Sequence, residues 1–242
     1  MHRRARHLNP KDAGAVAALD ARFLSGFNDG DGIGTWTSRT GTNSPTQATA
    51  ANKPIYKVNI QGGCPAAIVD DTASTVGRFM TWATTPISGA TAASFIYSVK
   101  RTSDVGWGSP VVNFGTANPQ DHDPYGGGTL AYLSLGSSSR QSFTAVLINT
   151  PTIQSITSKS GEWTVRRVGT QIFTTSTNTV AIGSYPRIGS SNNTRPNGGA
   201  DPTGYYWIGQ IFCVHVFNSA LADPIRRRIE HSIGYSFKIS SN

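Results

Sequence analysis

Residues 205–217 (YYWIGQIFCVHVF) are apolar at both alternations of an extended chain, and that one run limits the folds open to the sequence. A strand with one wet face alternates apolar and polar side chains, whereas a run apolar on both sides must be covered on both sides. Residues 93–100 alternate instead, with Phe95, Tyr97 and Val99 on one side and Ser94, Ser98 and Lys100 on the other. Further strand-like runs at 76–82, 129–135 and 141–148 are bounded by Gly, Pro, Asn and Ser, the punctuation of a β-sandwich. Residues 163–174 read as a hairpin, with Gly169 supplying the positive φ that a tight turn needs. Helical patterns do not alternate with these runs, which removes the parallel α/β folds.

One helix stands apart near the end. Asp223 is placed to cap it and Pro224 to occupy its first turn. Ile225, Ile229 and Ile233 then recur at four-residue spacing as an apolar stripe, and Gly234 is the expected stop. Arg226, Arg227 and Glu230 fall off the stripe and read as a solvated face. Such a helix can lie across the outside of a sheet and cover one face of 205–217. No internal repeat or long linker interrupts the chain. We therefore expect a basic arm over residues 1–10 and one all-β domain over 11–242: a two-sheet antiparallel sandwich, or jelly roll, with a short C-terminal helix.

Composition narrows the function classes. Charged residues make up 14 % of the 242, against roughly 25 % in globular proteins generally. Hydrophobic residues at 37 % and aromatics at 10 % suffice for a core, so disorder is excluded. The net charge of +8 is concentrated partly in Met1-His-Arg-Arg-Ala-Arg-His7 and in Arg226–Arg228. A field of that sign favours acidic partners. No nucleic-acid-binding motif accompanies it, so a solvated or particle-docking arm is expected in preference to nucleic acid. No apolar stretch approaches the roughly 20 residues of a membrane span, and no apolar segment follows the basic start as in a signal peptide. Either a signal has been removed or the protein leaves its cell another way, for instance by lysis. Cys64 and Cys213 make no metal motif and read as buried thiols in strands, with a single disulfide as the alternative.

Several phrases, taken in order, resemble a known family. Leu19-Asp20-Ala21-Arg22, then Leu24-Ser-Gly-Phe-Asn-Asp-Gly-Asp-Gly32 and Gly34-Thr-Trp36, are similar to the opening of laminin-G-like, concanavalin A-like jelly rolls. Ala48-Thr49, Lys53-Pro54-Ile-Tyr56 and Gly62-Gly63-Cys-Pro65-Ala-Ala67 continue the likeness. Tyr206-Trp-Ile-Gly-Gln-Ile-Phe212, Val216-Phe-Asn-Ser-Ala-Leu221, the helix at Arg226–Glu230 and Tyr235-Ser-Phe-Lys-Ile239 close it. The middle matches only in strand count. The resemblance implies two sheets packed face to face, with rim loops available for ligands.

It also implies a test for chemistry, since some relatives are glycosidases. Those resembling this fold carry closely spaced glutamates on one strand with an aspartate between, and glycoside hydrolysis takes two carboxylates about 5–9.5 Å apart. This chain has only Glu162 and Glu230, on different elements, while the adjacent Asp70 and Asp71 would point to opposite faces of a strand. The sequence also lacks a G-x-S-x-G elbow, and Tyr125-Gly-Gly-Gly128 lacks the lysine of a phosphate loop. His215 reads as a core histidine. On these grounds the expectation is a protein that is not an enzyme. No cofactor is required, although relatives bind calcium at the rim. Asp29 and Asp31 in one loop, or Asp121 and Asp123 flanking His122, are the clustered oxygens that could hold it, and the first loop reads equally well as a tight turn.

For a ligand, the long polar loop 190–206 offers Asn192, Asn193, Arg195, Asn197, Asp201 and Tyr205, with Trp107 and Tyr125 in other loops. Two functions follow. The first is a structural and recognition component of a virion (a phage capsid decoration, fibre or tail) whose partners are coat proteins or other copies of itself, with glycan contact at the virion surface. The alternative is a carbohydrate-binding module of a secreted or cell-surface protein.

Overall fold

The computed structural model describes residues 8–69, 77–103, 110–114, 121–125, 128–183, 186–190 and 206–240. Its strands are, in chain order, β1 (Ala15–Asp20), β2 (Ile55–Gln61), β3 (Cys64–Val69), β4 (Met80–Thr81), β5 (Ala92–Arg101), β6 (Val112–Asn113) and β7 (His122–Tyr125). After these come β8 (Leu130–Leu133), β9 (Gln141–Thr144), β10 (Thr152–Lys159), β11 (Glu162–Arg167), β12 (Thr170–Thr175), β13 (Arg187–Ile188) and β14 (Gly209–Phe217). The helix α1 (Asp223–Phe237) follows β14.

The large sheet runs β12-β11-β10-β5-β14-β3-β2, and β1 pairs with β14 beside β3. Every pairing in it is antiparallel. Two small sheets, β4-β13-β6 and β7-β8-β9, form the facing layer. Between the layers lies the main core, where Phe95, Tyr97, Ile156, Trp163 and Val214 of the large sheet meet Met80, Val112, Leu133 and Phe143 of the small ones. Fold class and architecture are thus those read from the sequence.

The doubly apolar run behaves as its pattern requires. A register shift between Ile211 and Cys213 turns Phe212 and Cys213 to the same side. Ile211, Val214 and Val216 then enter the main core, while Phe212, Cys213 and Phe217 enter a second one. Helix α1 supplies the other wall of that second core through Ile229, Ile233 and Phe237, and the Phe212 and Phe237 rings lie 5.2 Å apart. Each such side chain contributes about 1.5–3 kcal/mol by leaving water. Val168 and Gly169, both at positive φ, make the turn between β11 and β12.

Three local expectations are corrected. Ala222 precedes the helix without a side-chain cap, and Asp223 is its first residue, using its carboxylate on Arg226 instead. Gly234 does not stop α1, which continues to Phe237 and ends on Lys238 at φ 51°. The missing Cβ of Gly234 instead admits the returning chain: a Cβ there would sit 2.8 Å from the Ile239 carbonyl oxygen, and the Ile239 N–H donates to the Gly234 carbonyl at 2.9 Å. Finally, the arginine run is not all solvated. Arg227 and Arg228 are exposed, but Arg226 is buried against Glu230.

Both cysteines are free thiols. Among the described residues no helix is long and apolar enough to cross a membrane.

Candidate functional site

The β7–β9 sheet has an inner and an outer face, and the outer face carries the aromatic groups. Ala131 and Leu133 of β8 and Phe143 of β9 point into the main core. Alternation therefore turns Leu130, Tyr132, Ser142 and Thr144 outward, where Leu130 is 43 % exposed. Register pairs His122 with Tyr132 and Tyr125 with Leu130, so β7 brings His122 and Tyr125 alongside. The Tyr125 and Tyr132 rings lie 4.5 Å apart at 51°, and His122 lies 5.4 Å from Tyr125. The exposed Arg140 closes the patch, its guanidinium 5.0 Å from the Tyr132 ring and 5.8 Å from that of Tyr125. At these distances the cation is attracted to the negative faces of both rings.

A buried polar clamp fixes this small sheet to the large one. Arg167, at the end of β11, donates to the Gln154 Oε1 at 2.7 Å and to the carbonyls of Thr144 and Ala145 at 2.9 and 3.0 Å. Gln154 in turn donates to the Tyr97 hydroxyl. Asp123 accepts from the Val146 N–H at 3.0 Å. Burial pushes its carboxyl up while the charges of Arg167 and Arg101 hold it down. Burial likewise raises the Tyr97 hydroxyl well beyond its ordinary range. Strands β5, β7, β9, β10 and β11 are all joined through these groups, and that rigidity is what a recognition surface on the far side needs.

Asp121, just before β7, is buried and accepts from both the N–H and the Oγ of Ser134 at 2.8–3.0 Å. Burial pushes its carboxyl up to about 6, against the pull of Ser134 and the charge of Arg140. The folded chain therefore keeps a proton that the unfolded chain releases near 3.9. Through this group stability is gained as pH falls through 6 and lost as it rises again, reaching about 3 kcal/mol once the unfolded group is protonated too. We expect the unfolding free energy of the wild type, relative to Asp121→Asn, to climb by roughly that amount between pH 7 and pH 4 in urea titrations. A difference that stayed flat would show that Asp121 is ionised throughout.

The other expected residues fall as follows. Asn192, Asn193, Arg195, Asn197, Asp201, Tyr205 and Trp107 lie outside the described residues, as do Asp70 and Asp71. The flanks of that long loop are in view: Ser190 and Tyr206 form an antiparallel bridge, and Tyr206 stacks on Phe79 at 6.4 Å. Tyr125 is in β7 and not in a loop. Asp29 bonds the Val58 N–H and pairs with Lys57 at 3.0 Å, while Asp31 caps the Asn28 N–H at 2.6 Å. Their oxygens thus serve a turn. Among the described residues no three His, Cys, Asp or Glu side chains cluster as metal ligands. His215 is buried in β14 on the α1 side of the large sheet, and burial lowers it to about 4. Sequence reasoning missed Tyr132 and Arg140. The alternation Leu130, Tyr132 against Ala131, Leu133 was the available signal for Tyr132; nothing local marks Arg140.

No family model matches the chain, and no curated protein matches it by sequence. Solved structures do. A sialidase of Trypanosoma rangeli, in complex with 2,3-difluorosialic acid as a covalent intermediate, matches over 91 % of this chain with TM-score 0.53 and 16 % identity. This chain spans 33 % of that protein, about a third of its length. A receptor binding domain matches over 84 % of this chain and 51 % of its own, with TM-score 0.52 and 13 % identity. Domain 4 of AbnA, an extracellular GH43 arabinanase from Geobacillus stearothermophilus, in complex with arabinotriose, matches over 90 % of this chain and 98 % of its own, with TM-score 0.55 and 13 % identity.

These matches correct the expectation that the chain is not an enzyme. Sialidases are among the structures that share its fold, so the fold gives no ground for setting catalysis aside. Beside Glu162, Glu230 and the adjacent Asp70 and Asp71, the chain has a further pair of acids, Asp121 and Asp123, at alternate positions, both buried and both pushed upward. At these identities what the matches establish is the fold: an antiparallel β-sandwich shared with sialidase chains, a receptor binding domain and an arabinotriose-bound domain.

Proposed function

We propose that this chain is a lectin-like recognition domain that binds a carbohydrate on the outer face of the β7–β9 sheet. The observation that carries the reading is the Tyr125–Tyr132 pair with Arg140 beside it, backed by the Arg167 clamp. A sugar ring lays its C–H face on an aromatic ring and gives its hydroxyls to flanking polar groups. Ser142, Thr144 and the guanidinium supply such groups on the same face. The arabinotriose held by a domain of the same size and fold supports the reading. So does the receptor binding role of a second match. The setting that goes with it is an extracellular or surface-exposed one.

The test is a glycan array on the whole chain, with calcium and then with chelator, followed by titration of the best ligand. Each tyrosine ring covered by a sugar is worth about 1.5 kcal/mol or more, so Tyr132→Ala or Tyr125→Ala weakens binding about tenfold or more. Undiminished affinity in the double variant would remove the platform from the site, and an array without a ligand would overturn the carbohydrate reading. Binding that depends on calcium would bring Asp29, Asp31, Asp121 or Asp123 in as ligands.

A component of a virus particle is the narrower form of this proposal, in which the sugar belongs to the host. The basic opening Met1–His7 and the charge of +8 favour docking on an acidic particle surface. Light scattering separates the settings: a particle component assembles into a closed oligomer, while a binding module stays monomeric.

A further inference from the structure

A cavity of about 270 Å³ opens on the opposite side of the large sheet, between α1 and the paired strands β1 and β14. Leu8, Pro10, Ile229 and Ile233 make its apolar wall. Its polar wall holds two arginines, one aspartate, one histidine and small hydroxyl and amide groups. The arginines differ. Arg22 is spent: its Nε and Nη2 engage both oxygens of buried Asp20, and its guanidinium also lies 4.9 Å from the Phe237 ring. Arg39 has no carboxylate partner among the described residues. Its guanidinium rests 3.9 Å from the ring of Phe23, which is half exposed, and its backbone N–H ties it to the Ala18 carbonyl of β1.

The charge of this lining can be counted. Among the described residues, two arginines and one aspartate leave one positive charge, and His215 adds none, because burial lowers it to about 4. One uncompensated guanidinium matches a monoanion, and its planar fork matches a carboxylate in particular. Asp20 opposes the second charge of a phosphate. Ser232, Ser236 and Asn9 can meet hydroxyls, and the isoleucines can meet an apolar edge.

We propose that this cavity binds a small hydroxylated carboxylate, of about the size of one uronic acid, with Arg39 holding the carboxylate and the wall of α1 holding the remainder. The site lies across the sheet from the tyrosine platform and does not depend on it.

The experiment is calorimetric titration of the full chain with D-glucuronate, D-glucose and inorganic phosphate, repeated on Arg39→Met, Ser236→Leu and Arg228→Met. The expected result is saturable binding of glucuronate that exceeds that of glucose and phosphate. Arg39→Met lowers it about tenfold or more, as losing a charge-assisted contact should. Ser236→Leu blocks the cavity while leaving Arg39 in place, and it abolishes binding with the fold intact by circular dichroism. Arg228→Met, which removes an equal charge from the exposed side of α1, changes nothing. The proposal is overturned by no binding of glucuronate, by phosphate binding equally well, or by glucuronate affinity that survives both cavity variants.

Discussion

Replacing Arg226 by methionine is expected to destabilise the fold by about 3–5 kcal/mol, the range for leaving one charge of a buried pair without its partner. Arg226 and Glu230 have side chains only 1 % and 5 % exposed, and the arginine Nη1 donates to both carboxylate oxygens at 2.6 Å. Ser155 of β10 donates to the same carboxylate at 2.6 Å. In Arg226→Met the serine alone faces a buried anion. For a chain of this size the melting temperature should fall by roughly 10 °C, and dye binding should report the apolar face of β14 that α1 had covered. Adding Glu230→Gln removes the charge and keeps an acceptor for Ser155, so the double variant should regain at least half of the loss. If the single variant melts as the wild type does, the pair contributes nothing and the apolar stripe alone docks the helix.

Gly209→Ala should cost roughly 3 kcal/mol or more, the upper end of what forced overpacking does. A Cβ at Gly209 would lie 2.2 Å from the Lys100 carbonyl oxygen and 3.0 Å from the Arg101 Cα. Both are backbone atoms at the end of β5, where the Arg101 carbonyl accepts from the Asn149 N–H at 2.7 Å and so holds the strand from its other edge. Gly63→Ala is the control, since that glycine is at φ 83° but a Cβ there would meet nothing within 4 Å. It carries only the backbone cost of about 1–2 kcal/mol. Urea unfolding of the two variants decides the matter, and equal losses would mean that the approach of β14 to β5 is looser than described.

Gly209 also shows what could be read in advance. It sits inside Tyr206-Trp-Ile-Gly-Gln-Ile-Phe212, a phrase that supported the resemblance without explaining it; the explanation is a strand too near for a side chain. Likewise Asp20 and Arg22 of the opening phrase form a bidentate pair beside α1. Strand β14, the helix stripe and the Gly169 turn were legible because each is a local pattern: a run apolar on both faces, a period of four, or a backbone sign. Arg226 was not, because its burial depends on Ser155 in a distant strand. The platform was half legible. Tyr125 could be picked out as an aromatic, but its pairing with Tyr132 and Arg140 arises only when β7 meets β8. The expectation about catalysis was overturned by the fold shared with sialidase chains, which no list of acids reveals.

The place of β14 has a consequence for how the sheet comes into being. Strands β10, β11 and β12 are joined by tight hairpins or direct pairing to β5, and this half can zip up from local contacts. On the other side, β1 and the β2–β3 hairpin find their places only against β14, nearly two hundred positions later than β1. A ribosome adding about 5–20 residues per second therefore holds β1 without its partner strand for roughly ten seconds or longer. During that interval Ala17 and Leu19, core residues in the finished sheet, lack their β14 neighbours Val216 and Val214. Closure is non-local and correspondingly slow. Nascent chains of this protein should thus lean on holdase chaperones until β14 arrives, and slippage at that step exposes β1 as an open edge.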